Sequence, residues 1–288
     1  MSLRTRLKSK EIVVAPGVYD GLTASLAEAA GFEALYLSGA AVAYTRLGRP
    51  DIGLTTASEM ADTMMLIAAR TPLPVIIDAD TGFGNALNAQ RTMRLYERAG
   101  ASALQIEDQS YPKRCGHLAD KSLISAGEMV GKIAAMADAR ATENTLIIAR
   151  TDAIAVEGFA AAEGRAGAYL EAGADVLFIE APQDRSQLEQ IATRFGGRIP
   201  LLANMVEGGA TPITGAQDLE RLGFSIVIFP GGIVRALART AQDYYQSLAT
   251  HGSNKPFAER MFDFNGLNGV IGTAEMLKTG ARYDGSDS

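Results

Sequence analysis

Two aspartates close an apolar run in Val75-Ile-Ile-Asp-Ala-Asp-Thr-Gly-Phe-Gly-Asn85. Side chains alternate faces along a strand, so Asp78 and Asp80 point the same way. Carboxylates held on one face repel each other unless a cation lies between them. Hard oxygen ligands on a stiff scaffold suit Mg²⁺ or Mn²⁺ better than zinc. The plainer alternative is that one aspartate caps the next helix and the other is solvated, since D-x-D is a short and common pattern. Further polar groups at the ends of other apolar runs shift the balance towards a metal site. Glu107 ends Gln105-Ile-Glu, where an inward-facing carboxylate would join the pair. Asp51, in Arg49-Pro-Asp, could approach the same point, or cap a helix. Arg150 follows Ile148-Ala and faces the same acids. Its guanidinium suits an anionic substrate in forked geometry, or a structural salt bridge to Asp152 or Glu180.

A different chemistry is carried by Tyr111-Pro-Lys-Arg-Cys-Gly-His-Leu-Ala-Asp-Lys121. A lone cysteine is usually a small buried hydrophobe. Here Cys115 stands among Lys113, Arg114 and His117, with Gly116 beside it, and the segment is too polar to bury well. Positive neighbours lower a thiol pKa and suit Cys115 to donate a proton or act as a nucleophile. A zinc site does not fit a chain with one cysteine and two histidines, the second being the distant His251. Ser38-Gly39-Ala40 supplies a hydroxyl and close backbone approach, suited to an anion or simply to a tight turn. Glu180 and Asn204 end two more runs, and Pro230-Gly-Gly ends the last. A glycine pair there can bind phosphate at a helix N-terminus, but Pro230 removes one donor from such a cradle.

These groups need a scaffold that brings many strand ends to one face. Eight short apolar runs, at residues 12–15, 34–37, 75–78, 103–106, 146–149, 176–179, 200–203 and 225–229, alternate with Ala-rich segments of helical spacing. Several helices end in Ala-Gly or Leu-Gly, as a helix C-terminus requires. Strands buried on both faces and alternating with helices imply a parallel sheet, and eight units close it into an α/β (β/α)8 TIM barrel. Residues 15–20, Ala-Pro-Gly-Val-Tyr-Asp, make no dinucleotide fingerprint, which argues against an open doubly wound sheet. At 288 residues the chain suits one barrel domain, residues 1–288, with a helical segment over about 235–288. Two long connections, about 38–55 and 108–126, exceed the usual loop length and are expected to be functional.

Composition narrows the partners. A net charge of −6 without basic clusters argues against nucleic acid or an anionic membrane, and no run approaches a membrane span. One cysteine excludes an internal disulfide and fits a reducing cytoplasm, and the N-terminus lacks the apolar run of a signal peptide.

Lys113-Arg-Cys-Gly-His117 resembles the signature of the isocitrate lyase/phosphoenolpyruvate mutase superfamily, on its lyase branch. Ser38-Gly-Ala40, Asp78-Ala-Asp80-Thr-Gly-Phe-Gly-Asn85, Gln105-Ile-Glu-Asp108, Ala149-Arg-Thr-Asp152 and Asn204-Met-Val-Glu207 resemble further family blocks, in the family's order. The length matches the short members that cleave 2-methylisocitrate or 2-alkylmalates. The resemblance implies Mg²⁺ near Asp80, with Asp78, Asp51 and Glu107 as direct or water-bridged partners. It implies Ser38, Gly39 and Ala40 on the substrate carboxylate, and Gly116, Glu180, Asn204 and Pro230 around the substrate. Cys115 would protonate the carbanion left by C–C cleavage, assisted by Arg150 and His117. A homotetramer with a swapped eighth helix is implied too. The alternatives on the same metal site are oxaloacetate hydrolysis or decarboxylation, and a phosphoenolpyruvate mutase-like reaction. A thiol acid counts against the mutase, and proline at position 230 goes with lyases where oxaloacetate hydrolases carry serine. One departure stands out: Asp120-Lys121 replaces the family's Gly-Lys. The remaining possibility, a catalytically silent barrel serving as a scaffold, would leave gaps among the acidic and cysteine positions, and none is seen.

Overall fold

All eight apolar runs form strands in the computed structural model, which describes residues 1–116, 120–209, 211 and 215–284. The strands are β1 (Val13–Val18), β2 (Leu35–Leu37), β3 (Val75–Asp78), β4 (Ala103–Glu107), β5 (Leu146–Thr151), β6 (Val176–Ile179), β7 (Leu201–Asn204) and β8 (Ile226–Phe229). Each pairs in parallel with the next, and β8 pairs with β1 to close the barrel. The first compact unit, Met1–Val234, contains this barrel; the second is Arg235–Ser288.

Helix α1 (Leu3–Arg6) precedes the barrel, and Leu3 belongs to its inner core. The helices that follow are α2 (Gly21–Ala29), α3 (Gly39–Val42), α4 (Ala57–Arg70), α5 (Ala86–Arg98), α6 (Ala126–Ala139), α7 (Ala153–Glu157), α8 (Phe159–Glu171), α9 (Arg185–Phe195) and α10 (Ala216–Leu222). Their starts are written in the sequence. Asp20, Thr56 and Asn85 each form a reciprocal capping box with the residue three positions on, and Ser125 caps α6.

Strand alternation sorts the apolar residues into two cores. Val13, Ala15, Tyr36, Ile76, Leu146, Ile148, Val176, Phe178, Leu202, Ile226 and Ile228 fill the barrel interior with Leu3. Their neighbours, such as Ile77, Leu104, Ile147, Leu177 and Val227, pack outward with residues of the helices, among them Met64, Met93, Ile133 and Leu188. A polar residue two positions beyond the last inward apolar residue therefore faces inward too.

The connection after β2 departs from the expected loop. Its first half is helical, α3 followed by a π-helical turn at Ala43–Leu47 that ends on Gly48 in the left-handed region. Ser38 starts it by accepting a hydrogen bond from Ala41 N, and the alanines sustain it. The connection after β4 is irregular, as expected. Its base is drawn together by a bridge between Gln109 and Leu123, and by Ser110 N to Ser122 O (2.8 Å) and Ile124 N to Asp108 O (3.0 Å).

The second unit contains most of α11 (Gly232–His251), a 3₁₀ turn at Lys255–Arg260, α12 (Phe264–Ile271) and α13 (Thr273–Ala281). Its centre is aromatic. Tyr244 packs edge-on against Phe257 at 5.5 Å, and Arg260 lies over the Phe257 ring at 4.3 Å. No helix among the described residues is long and apolar enough to cross a membrane.

Candidate active site

Inward parity carries the interior of the barrel into a cluster of ionisable groups at the strands' C-terminal ends. Past Tyr36 comes Ser38, past Ile76 come Asp78 and Asp80, and past Ala103 and Gln105 comes Glu107. Past Ile148 comes Arg150, past Phe178 comes Glu180, past Leu202 comes Asn204 and past Ile228 comes Pro230. Asp51 reaches the cluster from the segment beyond the π-helical turn. The register sets Glu107 directly beside Arg150 on the adjacent strand.

On the β3 side, Lys113 inserts its ammonium between Asp51 (2.6 Å) and Asp80 (2.7 Å). Burial works against this charge, but Asp80 and Asp51 outweigh it and hold the lysine protonated, well above its ordinary range. Burial also pushes the Asp80 carboxyl up to about 7, against the pull of Lys113 and with help from Asp78 and Asp51. Asp80 itself has φ 43°, a left-handed backbone that costs a non-glycine residue on the order of 1 kcal/mol or more. Its amide donates to Asp78 Oδ1 at 3.2 Å, which fixes the turn. Gln105 reaches the same Asp78 oxygen at 3.4 Å and accepts from the Tyr36 hydroxyl at 2.9 Å. Burial keeps that phenol neutral, so Tyr36 acts here as a donor.

On the β5 side, the Arg150 guanidinium is bound by three carboxylates. Asp152 takes it in a fork (Nε to Oδ2 2.9 Å, Nη2 to Oδ1 3.0 Å), with Glu107 at 3.3 Å and Glu180 at 3.4 Å. Phe178 lies beneath it, ring centre 5.1 Å away. Both partners weighed for a structural salt bridge, Asp152 and Glu180, thus engage Arg150 together with Glu107. Asn204 donates to Glu180 Oε2 at 3.0 Å. Glu107 Oε1 and Asn204 Oδ1 are buried without a hydrogen-bond partner. Burial drives the Glu107 carboxyl well above its ordinary range, with Arg150 pulling the other way.

The cysteine connection lies over this second cluster. A Cβ built on Gly116 would fall 2.2 Å from Arg150 Nη2 and 3.0 Å from Glu180 Cγ, so only glycine fits there. Cys115 is half-buried, and its amide donates to the Asp51 carbonyl at 3.3 Å. Lys113, expected among the positive neighbours of the thiol, is engaged by the acidic cluster. Its side chain turns into the barrel towards the acids, while Arg114 pairs with Asp120 at 3.3 Å. His117 lies outside the described residues. Gly39 backs onto Asp78, whose Oδ2 would be 3.0 Å from an added Cβ, so Ser38-Gly39-Ala40 borders the acidic cluster. Pro230 sits at the rim beside β1, its carbonyl against Gly17.

Sequence reasoning missed Lys121, whose ammonium pairs with Asp152 at 3.0 Å, and Asp108, which binds the backbone of Asp152. Both stand in stretches that resemble family blocks, Gln105-Ile-Glu-Asp108 and Asp120-Lys121, but their spacing gave neither a partner.

Four buried carboxylates, Asp51, Asp78, Asp80 and Glu107, carry oxygen donors only, and Lys113 and Arg150 offset them incompletely. Burial pushes Asp80 and Glu107 upward, the neighbouring carboxylates add to that push, and Glu107 Oε1 is buried without a hydrogen-bond partner. Among the described residues no three such groups converge as a closed metal cage. The donor set fits a hard cation that keeps most of its waters and takes one or two direct carboxylates.

The sequence profile of the phosphoenolpyruvate phosphomutase family matches residues 3–249. The chain belongs to the phosphoenolpyruvate mutase/isocitrate lyase superfamily. Within that superfamily it is 46% identical over 279 residues to 2-methylisocitrate lyase of Aeropyrum pernix, spanning 97% of this chain and 89% of the relative. The crystal structure of a 2,3-dimethylmalate lyase superposes with a TM-score of 0.93 at 37% identity, covering 99% of this chain and 94% of the other. Oxaloacetate acetylhydrolase in complex with 3,3-difluorooxalacetate also superposes, with a TM-score of 0.92 at 31% identity over 100% and 97% of the two chains. The superfamily member described here is an enzyme, a carbon–carbon lyase.

Proposed function

We propose that the enzyme cleaves a 2-hydroxy di- or tricarboxylate of the 2-methylisocitrate or 2-alkylmalate type to an α-keto acid and a carboxylic acid, with Mg²⁺ as its cofactor. The observation that carries this reading is the seating of Gly116, the residue that follows Cys115, directly on the Arg150–Glu180 pair at the acidic strand ends. Asp80 would hold the cation, with Asp78, Asp51 and Glu107 as direct or water-borne partners. When bound, a divalent cation supplies Lewis-acid polarisation of the substrate's oxygens.

The chain's own residues account for the rest. Ser38, Gly39 and Ala40 border the acidic cluster and would receive one carboxylate. Transfer of the 2-hydroxyl proton to a carboxylate of the acidic cluster lets its oxygen form the carbonyl as the adjacent C–C bond breaks. The bonding pair then moves onto the departing carbon and its carboxylate, leaving an enolate-like fragment. Arg150 faces the negative charge that develops, in a site from which burial excludes water. The Cys115 Sγ–H delivers its proton to that carbon and completes the carboxylic acid. Glu180 and Asn204, already bonded to each other, would orient the second carboxylate.

Pro230 supports the lyase over oxaloacetate hydrolysis, and the thiol supports it over phosphonate mutation. The test is an assay of α-keto acid release from 2-methylisocitrate, isomeric 2-alkylmalates and oxaloacetate with Mg²⁺. Release of α-keto acid together with the matching carboxylic acid is expected from one of the first two classes. Turnover of oxaloacetate alone would defeat the proposal.

A further inference from the structure

We propose that Lys121 is a positioning residue of the active site: through Asp152 it fixes the Cys115–Gly116 backbone against Arg150. This goes beyond the reading of the reaction, and only its kinetic consequence rests on that reading.

Lys121 is not the solvated flank of a loop. Its side chain is 2% exposed, and Asp152 is fully enclosed. The ammonium makes two bonds, one to Asp152 Oδ1 at 3.0 Å and one to the Gly116 carbonyl. The same Asp152 oxygen accepts from Arg150 Nη2 at 3.0 Å, and the other accepts from Nε at 2.9 Å. One carboxylate therefore serves the guanidinium that faces the substrate and the lysine that holds the thiol-bearing backbone. Burial works to raise that carboxyl, but Arg150 and Lys121 outweigh it and hold Asp152 ionised.

Asp152 is held from behind as well. Its amide donates to Asp108 Oδ1 at 3.0 Å. Asp108 Oδ2 accepts from Thr151 and Tyr169, each at 2.7 Å, and from Arg165 at 3.3 Å. Arg165 in turn donates to the Ile124 carbonyl at 3.0 Å and forks onto Glu157. The cysteine connection is thus tied at Gly116 and at Ile124 to one buried network, with Asp152 and Asp108 at its centre.

Geometry makes this tie matter. Gly116 is in tight contact with the Arg150 guanidinium, so a small drift of its backbone moves Cys115 relative to the charge it must work beside. Without the ammonium, the Gly116 carbonyl loses its lysine donor and Asp152 loses one of its two cations, both in a buried site. On the Gly116 side that backbone then loses its tie to the Asp152 network, and the Cys115 amide keeps its bond to the Asp51 carbonyl on the other.

The experiment compares the full-length wild type with Lys121→Met and Lys121→Arg. The first readout is the rate at which N-ethylmaleimide alkylates the one cysteine, which needs no knowledge of the substrate. The second is the division between kcat and KM for 2-alkylmalate cleavage. Lys121→Met is expected to raise the alkylation rate several-fold and to lower kcat by roughly 10²-fold, with KM little changed, as misplacement of a catalytic group does. Lys121→Arg keeps the charge and should recover part of both. Wild-type alkylation and kcat in Lys121→Met would overturn the proposal. If the wild type cleaves no 2-alkylmalate or 2-methylisocitrate while alkylation still rises in Lys121→Met, the reading of the reaction fails and the positioning role stands. Should Lys121→Met fold poorly, Lys121→Gln keeps a donor for Gly116 without the charge and is judged by the same two readouts.

Discussion

A serine at position 115 would keep the shape of the thiol and lose its acidity, which isolates the proton donor from the rest of the site. General acid catalysis contributes about 10²–10⁴-fold, so Cys115→Ser should lose kcat in that range with KM little changed. In D₂O the wild type should place one deuterium on the released carboxylic acid, seen by mass spectrometry. Wild-type turnover in Cys115→Ser would remove the acid role. Asp80 tests the cation by a route that needs no turnover. At a Mg²⁺ concentration about a hundred times Kd, binding stabilises the fold by about 2.7 kcal/mol, a Tm rise on the order of 4–5 °C for a chain this long. Asp80→Asn should abolish that rise, and a Tm in the wild type that ignores Mg²⁺ and Mn²⁺ would count against the site.

At the scale of elements, the β5 end gives a pH prediction with a definite sign. Asp152 is held at about 2, below the ordinary 3.8, because Arg150 and Lys121 outweigh the cost of its burial. A depressed carboxyl stabilises the fold above its unfolded pKa, and that contribution drains away as the pH falls from about 4 towards 2. Urea titrations should find wild type more stable than Asp152→Asn by about 2 kcal/mol at pH 6, a gap that narrows by pH 3. A gap independent of pH would show that the pairing contributes nothing through ionisation. The same element explains what the sequence could disclose. Alternation along strands let the sequence set Asp78 and Asp80 on one face, with Glu107 and Arg150 turned towards them, although Asp80 lies just past β3 with a left-handed backbone. The connections carry no such period. Nothing in the spacing around Cys115 says that Lys113 turns inward to Asp51 and Asp80. Lys121 meets Asp152 across 31 positions, a pairing that only the closed barrel creates. The departure at Asp120 has a local account. The residue has φ 56°, where glycine is the easy choice and aspartate is among the side chains that tolerate it, and it pairs with Arg114.

The whole molecule has an apolar surface that the barrel's chemistry does not require. Helix α11 is 20 residues long and buries only Val234. In the second unit Phe262, Phe264, Met276, Leu277 and Tyr283 are 62–84% exposed, and α12 and α13 contain no buried residue. Burying one such side chain contributes about 1.5–3 kcal/mol, so several left in water on neighbouring short helices form an apolar surface with a substantial gain open to association. Tyr244, Phe257 and Arg260 give the unit a small core of its own, but one that leaves these five side chains outside. We propose that a second copy of this chain covers them, in the closed homotetramer with exchanged helices that the superfamily resemblance implies. Light scattering at micromolar concentration should then report a particle about four times the 30.4 kDa chain. Phe264→Glu with Leu277→Glu should shift it towards the monomer, because charges on that face must be desolvated for the chains to associate. A 30.4 kDa particle in the wild type would show that these side chains remain in water and that the barrel needs no partner.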